Sequence, residues 1–139
     1  MNKVKREIFW LFLVIIALLM LYGYSAAQYY AHVRGWQAAL VSNMGELRQI
    51  LREYKIENES IPVTLDELNI VGDSILRDPF TGKDLIYTPE HYSATNLVPL
   101  IYQEDYYRTQ LWPFGKYKKY AIMSNLGVIR PVYKKDEEK

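Results

Sequence analysis

The chain has 139 residues, half of them apolar and 24% of them charged, with a formal net charge of +1. This size leaves room for one folded domain of roughly 100 residues beside a membrane segment, and the composition excludes a chain that is disordered throughout. The absence of cysteine excludes disulfides, thiol catalysis and cysteine metal sites, and the near-neutral charge gives no reason to expect a nucleic-acid partner.

The first predicted element is a membrane-spanning helix. From Ile8 to Ala27 the sequence reads IFWLFLVIIALLMLYGYSAA, without a charged residue. As a helix this run rises about 30 Å, which matches the hydrocarbon thickness of a bilayer. We therefore expect membrane lipid around it. The predicted anchor residues are Ile8, Phe9, Trp10, Leu11, Phe12, Leu13, Val14, Ile15, Ile16, Leu18, Leu19, Leu21 and Tyr22.

The charges that flank this run predict its orientation. Lys3, Lys5 and Arg6 stand immediately before it, whereas the next cation, Arg34, follows several residues after it. The positive-inside rule then predicts a single-pass protein of the inner or cytoplasmic membrane, with a cytoplasmic N-terminus and a periplasmic or extracellular C-terminal domain. A cleaved signal peptide stays open as an alternative, because the small residues at 25–27 suit a signal peptidase.

The second predicted element is an amphipathic helix that ends near Ile56. Its apolar residues recur at alternating steps of four and three, which places them on one helical face. No proline interrupts residues 1 to 61, so we expect one long helix, half in lipid and half packed on the domain. The apolar face consists of Trp36, Leu40, Met44, Leu47, Leu51 and Tyr54.

Shorter elements follow this helix. The segment Thr64-Leu-Asp-Glu67 forms a capping box and predicts a short helix over about 65–69. A turn is predicted at 78–82 and a hairpin turn at 124–127. Pro99 and Pro131 predict edge positions for the strands that hold them, because proline donates no ladder hydrogen bond. The predicted strands cover 84–88, 97–103, 120–124 and 128–133.

This order of elements predicts an α+β fold in which the long N-terminal helix packs on a small antiparallel sheet. Residues 1–30 would form the basic start and the transmembrane helix, and residues 31–133 the extracytoplasmic domain. Residues 134–139 form a charged tail.

A resemblance extends this expectation. Two stretches, LRQILREYKIENESIPVTLDEL and LRDPFTGKDLIY, resemble the pattern of major pseudopilins, and the whole layout is similar to the type IV pilin and type II secretion pseudopilin family. The resemblance implies a pilin-like fold and a structural or assembly role beside other pilin-like or secretion-system subunits. Members of this family carry a glycine directly before the bond that the prepilin peptidase cleaves and a glutamate five residues into the mature helix. When Glu7 is matched to that glutamate, Asn2 stands in the position of the glycine. The matching residues are Tyr54, Pro62, Leu65, Leu68, Asp78, Pro79, Phe80, Gly82 and Tyr87.

The sequence offers no catalytic set. His32 and His91 lie in no metal-binding spacing, and neither a Ser-His-Asp order nor a glycine-rich phosphate loop is present. We therefore expect no enzyme activity, no cofactor and no small-molecule substrate. A calcium site at Asp73, Asp78 and Asp84 stays open, with an ordinary turn at Asp78 as the default.

One further segment interleaves aromatic and cationic residues. Such a pattern can grip a polymer by stacking and charge, or it can be a long loop pinned to the sheet with its lysines in solvent. The first possibility supports an alternative function, a membrane-tethered binding module for a polymer or partner protein that does not join a filament. The residues are Tyr106, Tyr107, Arg108, Trp112, Phe114, Lys116, Lys118 and Lys119.

Overall fold

A computed structural model describes residues 3–70, 72–93 and 95–134. One helix, α1 (Lys3–Asn58), runs without interruption through the apolar and amphipathic segments. A five-stranded antiparallel sheet packs against its C-terminal half. The predicted α+β fold and the continuity of the long helix are confirmed, and the helix ends two residues beyond the predicted Ile56.

The C-terminal half of α1 is the spine of the domain. Leu40, Met44, Leu47 and Leu51 are all buried in the core, as their spacing predicts. Trp36 is 38% exposed and lies at the margin of this stripe, where its ring meets Phe80 edge to face at 4.6 Å. Apart from Trp36, these side chains hold the sheet on the helix by apolar burial.

The sheet is organised around its longest strand, β4. The strands are β1 (Ile86–Tyr87), β2 (Pro99–Tyr102), β3 (Tyr107–Arg108), β4 (Tyr117–Met123) and β5 (Ile129–Tyr133). In the registers, β5 pairs along residues 118–122 of β4, so it occupies one edge of that strand. Strands β2 and β3 pair with the two ends of β4 from the other edge, and β1 lies beyond β2.

The two prolines behave differently. Pro131 lies in β5, which pairs only with β4 in the described part of the chain, so its predicted edge position is confirmed. The edge prediction for Pro99 is wrong, because β2 has β1 on one side and β4 on the other. Pro99 is tolerated there because it is the first residue of β2, beyond the two residues that pair with β1.

The hairpin between β4 and β5 turns where the sequence predicts it. The Met123 amide donates to the Val128 carbonyl at 3.1 Å, and the Leu126 amide donates to the Met123 carbonyl at 2.9 Å. Leu126 has a φ of 54° and is 2% exposed. A leucine therefore holds a left-handed turn position, because its side chain fills the core.

The segment between α1 and β1 is tied to both. The predicted capping box is present: the Glu67 carboxylate accepts from the amides of Val63 and Thr64, both at 3.1 Å, at the start of a 3₁₀ helix (Leu65–Leu68). The Tyr87 hydroxyl of β1 donates to the buried Pro62 carbonyl at 2.6 Å. The loop after α1 is thereby fixed to the edge of the sheet.

This link predicts alkaline instability. Burial, followed by the nearby charge of Glu67, raises the pKa of Tyr87 from 10.0 to about 12. Between these values the folded state holds a proton that the unfolded state has lost, so the stabilisation is complete below pH 10 and falls as pH rises toward 12. We expect the free energy of unfolding to fall over this range, and to fall less steeply in Tyr87→Phe. Urea unfolding at several pH values measures both slopes, and equal slopes would contradict the assignment.

Candidate functional site

The most exposed apolar surface of the protein is the N-terminal half of α1. The helix is long and apolar enough to cross a membrane, and none of its most apolar window is buried within the protein. Leu11, Leu18 and Leu19 are each at least 60% exposed. Ile16 alone among the predicted anchor residues is half-exposed, and the others are exposed. So large an uncovered apolar surface is compatible with a helix that spans a membrane.

Part of the domain lies alongside this half of the helix. The Tyr29 hydroxyl donates to the Arg108 carbonyl at 3.0 Å, at the end of β3. The Tyr22 hydroxyl donates to the Trp112 carbonyl, also at 3.0 Å, in the loop between β3 and β4. The loop therefore descends along two further turns of α1, toward its N-terminus, and meets a residue of the predicted anchor.

The aromatic and cationic segment does not form one surface. It contains β3, the start of β4 and the loop between them. Tyr107 is buried on the helix side, with its ring 5.1 Å from that of Phe80, and burial together with the neighbouring Tyr120 raises its pKa. Lys118 points to the same side, where its ammonium donates to the Tyr120 hydroxyl at 3.1 Å.

Lys119 points to the opposite side of the sheet. It is only 6% exposed, and its ammonium lies 4.8 Å from the ring centres of both Tyr102 and Tyr106. Neither of the sequence alternatives anticipated this placement, since one kept Lys119 for a polymer and the other left it in solvent. Trp112, Phe114 and Lys116 are the exposed members of the segment.

Sequence reasoning missed a groove on that outer face of the sheet. The groove has a volume of about 660 Å³, and Lys119 and Arg130 give it a basic lining without an acidic residue. It is assembled from the 3₁₀ turn at Pro89–His91, the loop before β2, and strands β2, β4 and β5. No short motif brings these parts together, so the sequence carried no local signal. The lining residues are His91, Leu97, Pro99, Tyr102, Lys119, Met123, Arg130, Pro131 and Val132.

The predicted turn at 78–82 is held by hydrogen bonds to the carboxylate of Asp78. Asp78 is 2% exposed, and its carboxylate accepts from the Phe80 amide and the Thr81 hydroxyl, both at 2.9 Å. Asp84 pairs instead with Arg77 at 3.4 Å, and the Asp73 side chain lies outside the described part of the chain. Within that part, no three acidic, histidine or cysteine residues are grouped to hold a metal. The contacts of Asp78 are those of the default turn.

Removing this carboxylate should destabilise the domain. In Asp78→Ala the half-buried Phe80 amide loses its acceptor, and we expect a loss of about 1–3 kcal/mol in the free energy of unfolding. Asp84→Ala is the matched control, because its ion pair is exposed and should change stability by less than about 1 kcal/mol. Chemical unfolding of the full chain in detergent measures both. Equal losses in the two variants would contradict the role given to Asp78.

Comparison with protein-family models, curated proteins and solved structures finds no match to this chain. The exposed apolar helix, the descending loop and the basic groove are therefore interpreted from their own chemistry.

Proposed function

We propose that this protein is a membrane-anchored structural or assembly subunit, similar to a pseudopilin or minor pilin of a type II secretion or type IV pilus-like system. The observation that carries the proposal is the division of α1 into two halves. Its apolar half, residues 8–27, is left uncovered by the protein's own domain except where the loop between β3 and β4 meets Tyr22, while its second half is the core of that domain. The resemblance of residues 47–87 to major pseudopilins supports the same role.

The proposed mechanism is association. In lipid, helices pack through shape and close contact, because lipid tails are as apolar as the side chains themselves. The uninterrupted helix would transmit any such packing directly to the domain outside the membrane. The basic residues Lys5 and Arg6, against a following run without cations until Arg34, support a cytoplasmic N-terminus in the inner or cytoplasmic membrane.

Cysteine crosslinking in cells tests the proposal, since the native chain has no cysteine to interfere. Leu11→Cys and Leu18→Cys lie on one helical face, and Leu13→Cys and Met20→Cys on the opposite face. An assembly subunit should crosslink, to itself or to another subunit, from one of these faces. Intact mass of the same membrane fraction reports whether the N-terminus is retained. No crosslink from either face would reject the assembly role while leaving the anchor standing.

The basic groove favours a second candidate. A membrane-tethered module would bind a polymer or a partner protein in a groove of this kind. Asn2 stands where the family's peptidase site has glycine, which supports a role outside a filament. Co-purification with a secretion ATPase and a prepilin peptidase distinguishes the two candidates, because only the assembly subunit needs them.

A further inference from the structure

The loop between β3 and β4 lies at membrane depth. Residues 111–114, here called the aromatic tip, contact α1 through the hydrogen bond from Tyr22 to the Trp112 carbonyl. Tyr22 precedes the end of the apolar run at Ala27 by five residues, which on a helix is about 8 Å. In a chain that spans the bilayer with residues 8–27, the tip therefore lies below the outer end of the apolar run.

The exposed side chains of the tip suit that depth. Trp112 is 71% exposed and Phe114 is 62% exposed, although both are among the largest apolar residues. Aromatic residues of this kind concentrate at the boundary between lipid tails and water, with tryptophan offering an apolar ring and one polar N–H.

Part of the backbone of the tip is already hydrogen-bonded within the protein. The Phe114 amide donates to the Leu111 carbonyl at 3.0 Å, and the Tyr22 hydroxyl occupies the Trp112 carbonyl. Gly115 closes the turn with a φ of 91°, and a Cβ there would lie 2.6 Å from the Gln110 backbone nitrogen. Each such pair lowers the cost of insertion beside lipid, since lipid tails supply no hydrogen bonds.

Cations surround the base of the tip. The Arg108 guanidinium and the Lys134 ammonium lie 5.2 and 6.0 Å from the ring centre of Tyr117. Lys116 directly follows Gly115 in the sequence. From Asp105 to Asp136 the sequence holds no other acidic residue. Positive charge placed next to inserted aromatic rings is suited to anionic lipid headgroups.

We infer that the aromatic tip inserts into the outer leaflet of the same membrane that α1 spans, with Arg108, Lys116 and Lys134 on anionic phospholipid headgroups. The domain is thereby held at two points, the helix and the tip, which fixes its height and tilt above the bilayer. This inference rests on the proposed membrane anchoring, and it assigns the exposed part of the aromatic and cationic segment to lipid.

Tryptophan fluorescence tests it in the full chain, reconstituted in vesicles of phosphatidylcholine and phosphatidylglycerol. Three single-tryptophan variants are made by replacing the other two tryptophans with phenylalanine, leaving Trp10, Trp36 or Trp112. A phospholipid with a spin label near the headgroup end of one acyl chain then quenches only residues in contact with lipid. We expect Trp112 to be blue-shifted and quenched as strongly as Trp10, and Trp36 to keep its intensity.

The three reporters separate the possible failures. Quenching of Trp10 without quenching of Trp112 overturns the insertion and leaves the anchor intact. Absence of Trp10 quenching overturns the anchor and the insertion with it. A blue-shifted Trp112 that lipid does not quench means that a second copy covers the tip, which also overturns the inference. In vesicles of phosphatidylcholine alone, the quenching of Trp112 should weaken while the quenching of Trp10 stays unchanged. Equal quenching of Trp112 in the two kinds of vesicle would overturn the contact with anionic headgroups.

Discussion

Replacing Leu47 with alanine should lower the free energy of unfolding by about 2–5 kcal/mol, the range found when a buried leucine is truncated and leaves a cavity. Leu47 is fully buried on α1, inside the cluster that also contains Leu100 of β2 and Ile122 of β4. Since a domain of this size is stable by about 5–15 kcal/mol in total, the melting temperature should fall by about 10–30 °C. Near-ultraviolet circular dichroism of the full chain in detergent follows this transition, because it reports the packing of the aromatic side chains of the domain.

Glu46→Ala is the matched control for this prediction. Glu46 is the preceding residue of the same helix and is exposed, and alanine is a strong helix former. We expect its melting temperature to remain close to that of the native chain. If the two variants melted together, the sheet would not be held on α1 by this stripe, and the domain would have a different core.

Much of this fold could be predicted from the sequence because its strongest signals are local or periodic. Apolar residues at helical spacing identified the core face of α1, and Thr64 with Glu67 identified the capping box. The predicted limits of the strands were less accurate. Strand β1 covers only Ile86–Tyr87 of the predicted 84–88, and β4 begins at Tyr117 instead of Tyr120. Strand limits depend on partners that are distant in sequence, which periodicity along one segment does not show.

The strand β3 shows why prediction of the candidate site was harder. Tyr107 and Arg108 form only two residues of strand, paired with the first residues of β4. Within the sequence they read as part of an aromatic and cationic loop, and the division of that segment between the two faces of the sheet follows from strand pairing. Tyr107 faces the helix, Lys119 faces the groove, and Trp112 lies in the loop whose backbone Tyr22 contacts. Residue type predicted the chemistry of the segment, but strand pairing decided where each group lies.

Two arginines in the apolar half of α1 should prevent stable membrane insertion. Leu11 and Leu18 lie two turns apart on one face, and both are about 60% exposed, so neither supports the domain. Leu18 lies near the centre of the apolar run, where an arginine costs about 2.5–3.5 kcal/mol. Leu11 lies nearer the N-terminal end of the run, so an arginine there adds a smaller cost. We expect the double variant Leu11→Arg/Leu18→Arg to leave the carbonate-resistant membrane pellet, in which the native chain should remain.

The control places the same charges at the same spacing in the other half of the helix. Ser42 and Gln49 are exposed on the polar face of α1, so Ser42→Arg/Gln49→Arg adds two cations without touching the core or the apolar run. This variant should remain in the pellet like the native chain. Retention of the Leu11→Arg/Leu18→Arg chain in the pellet would contradict a spanning helix. Release of both variants would instead mean that added charge, and not its position in the helix, removes the protein from the membrane.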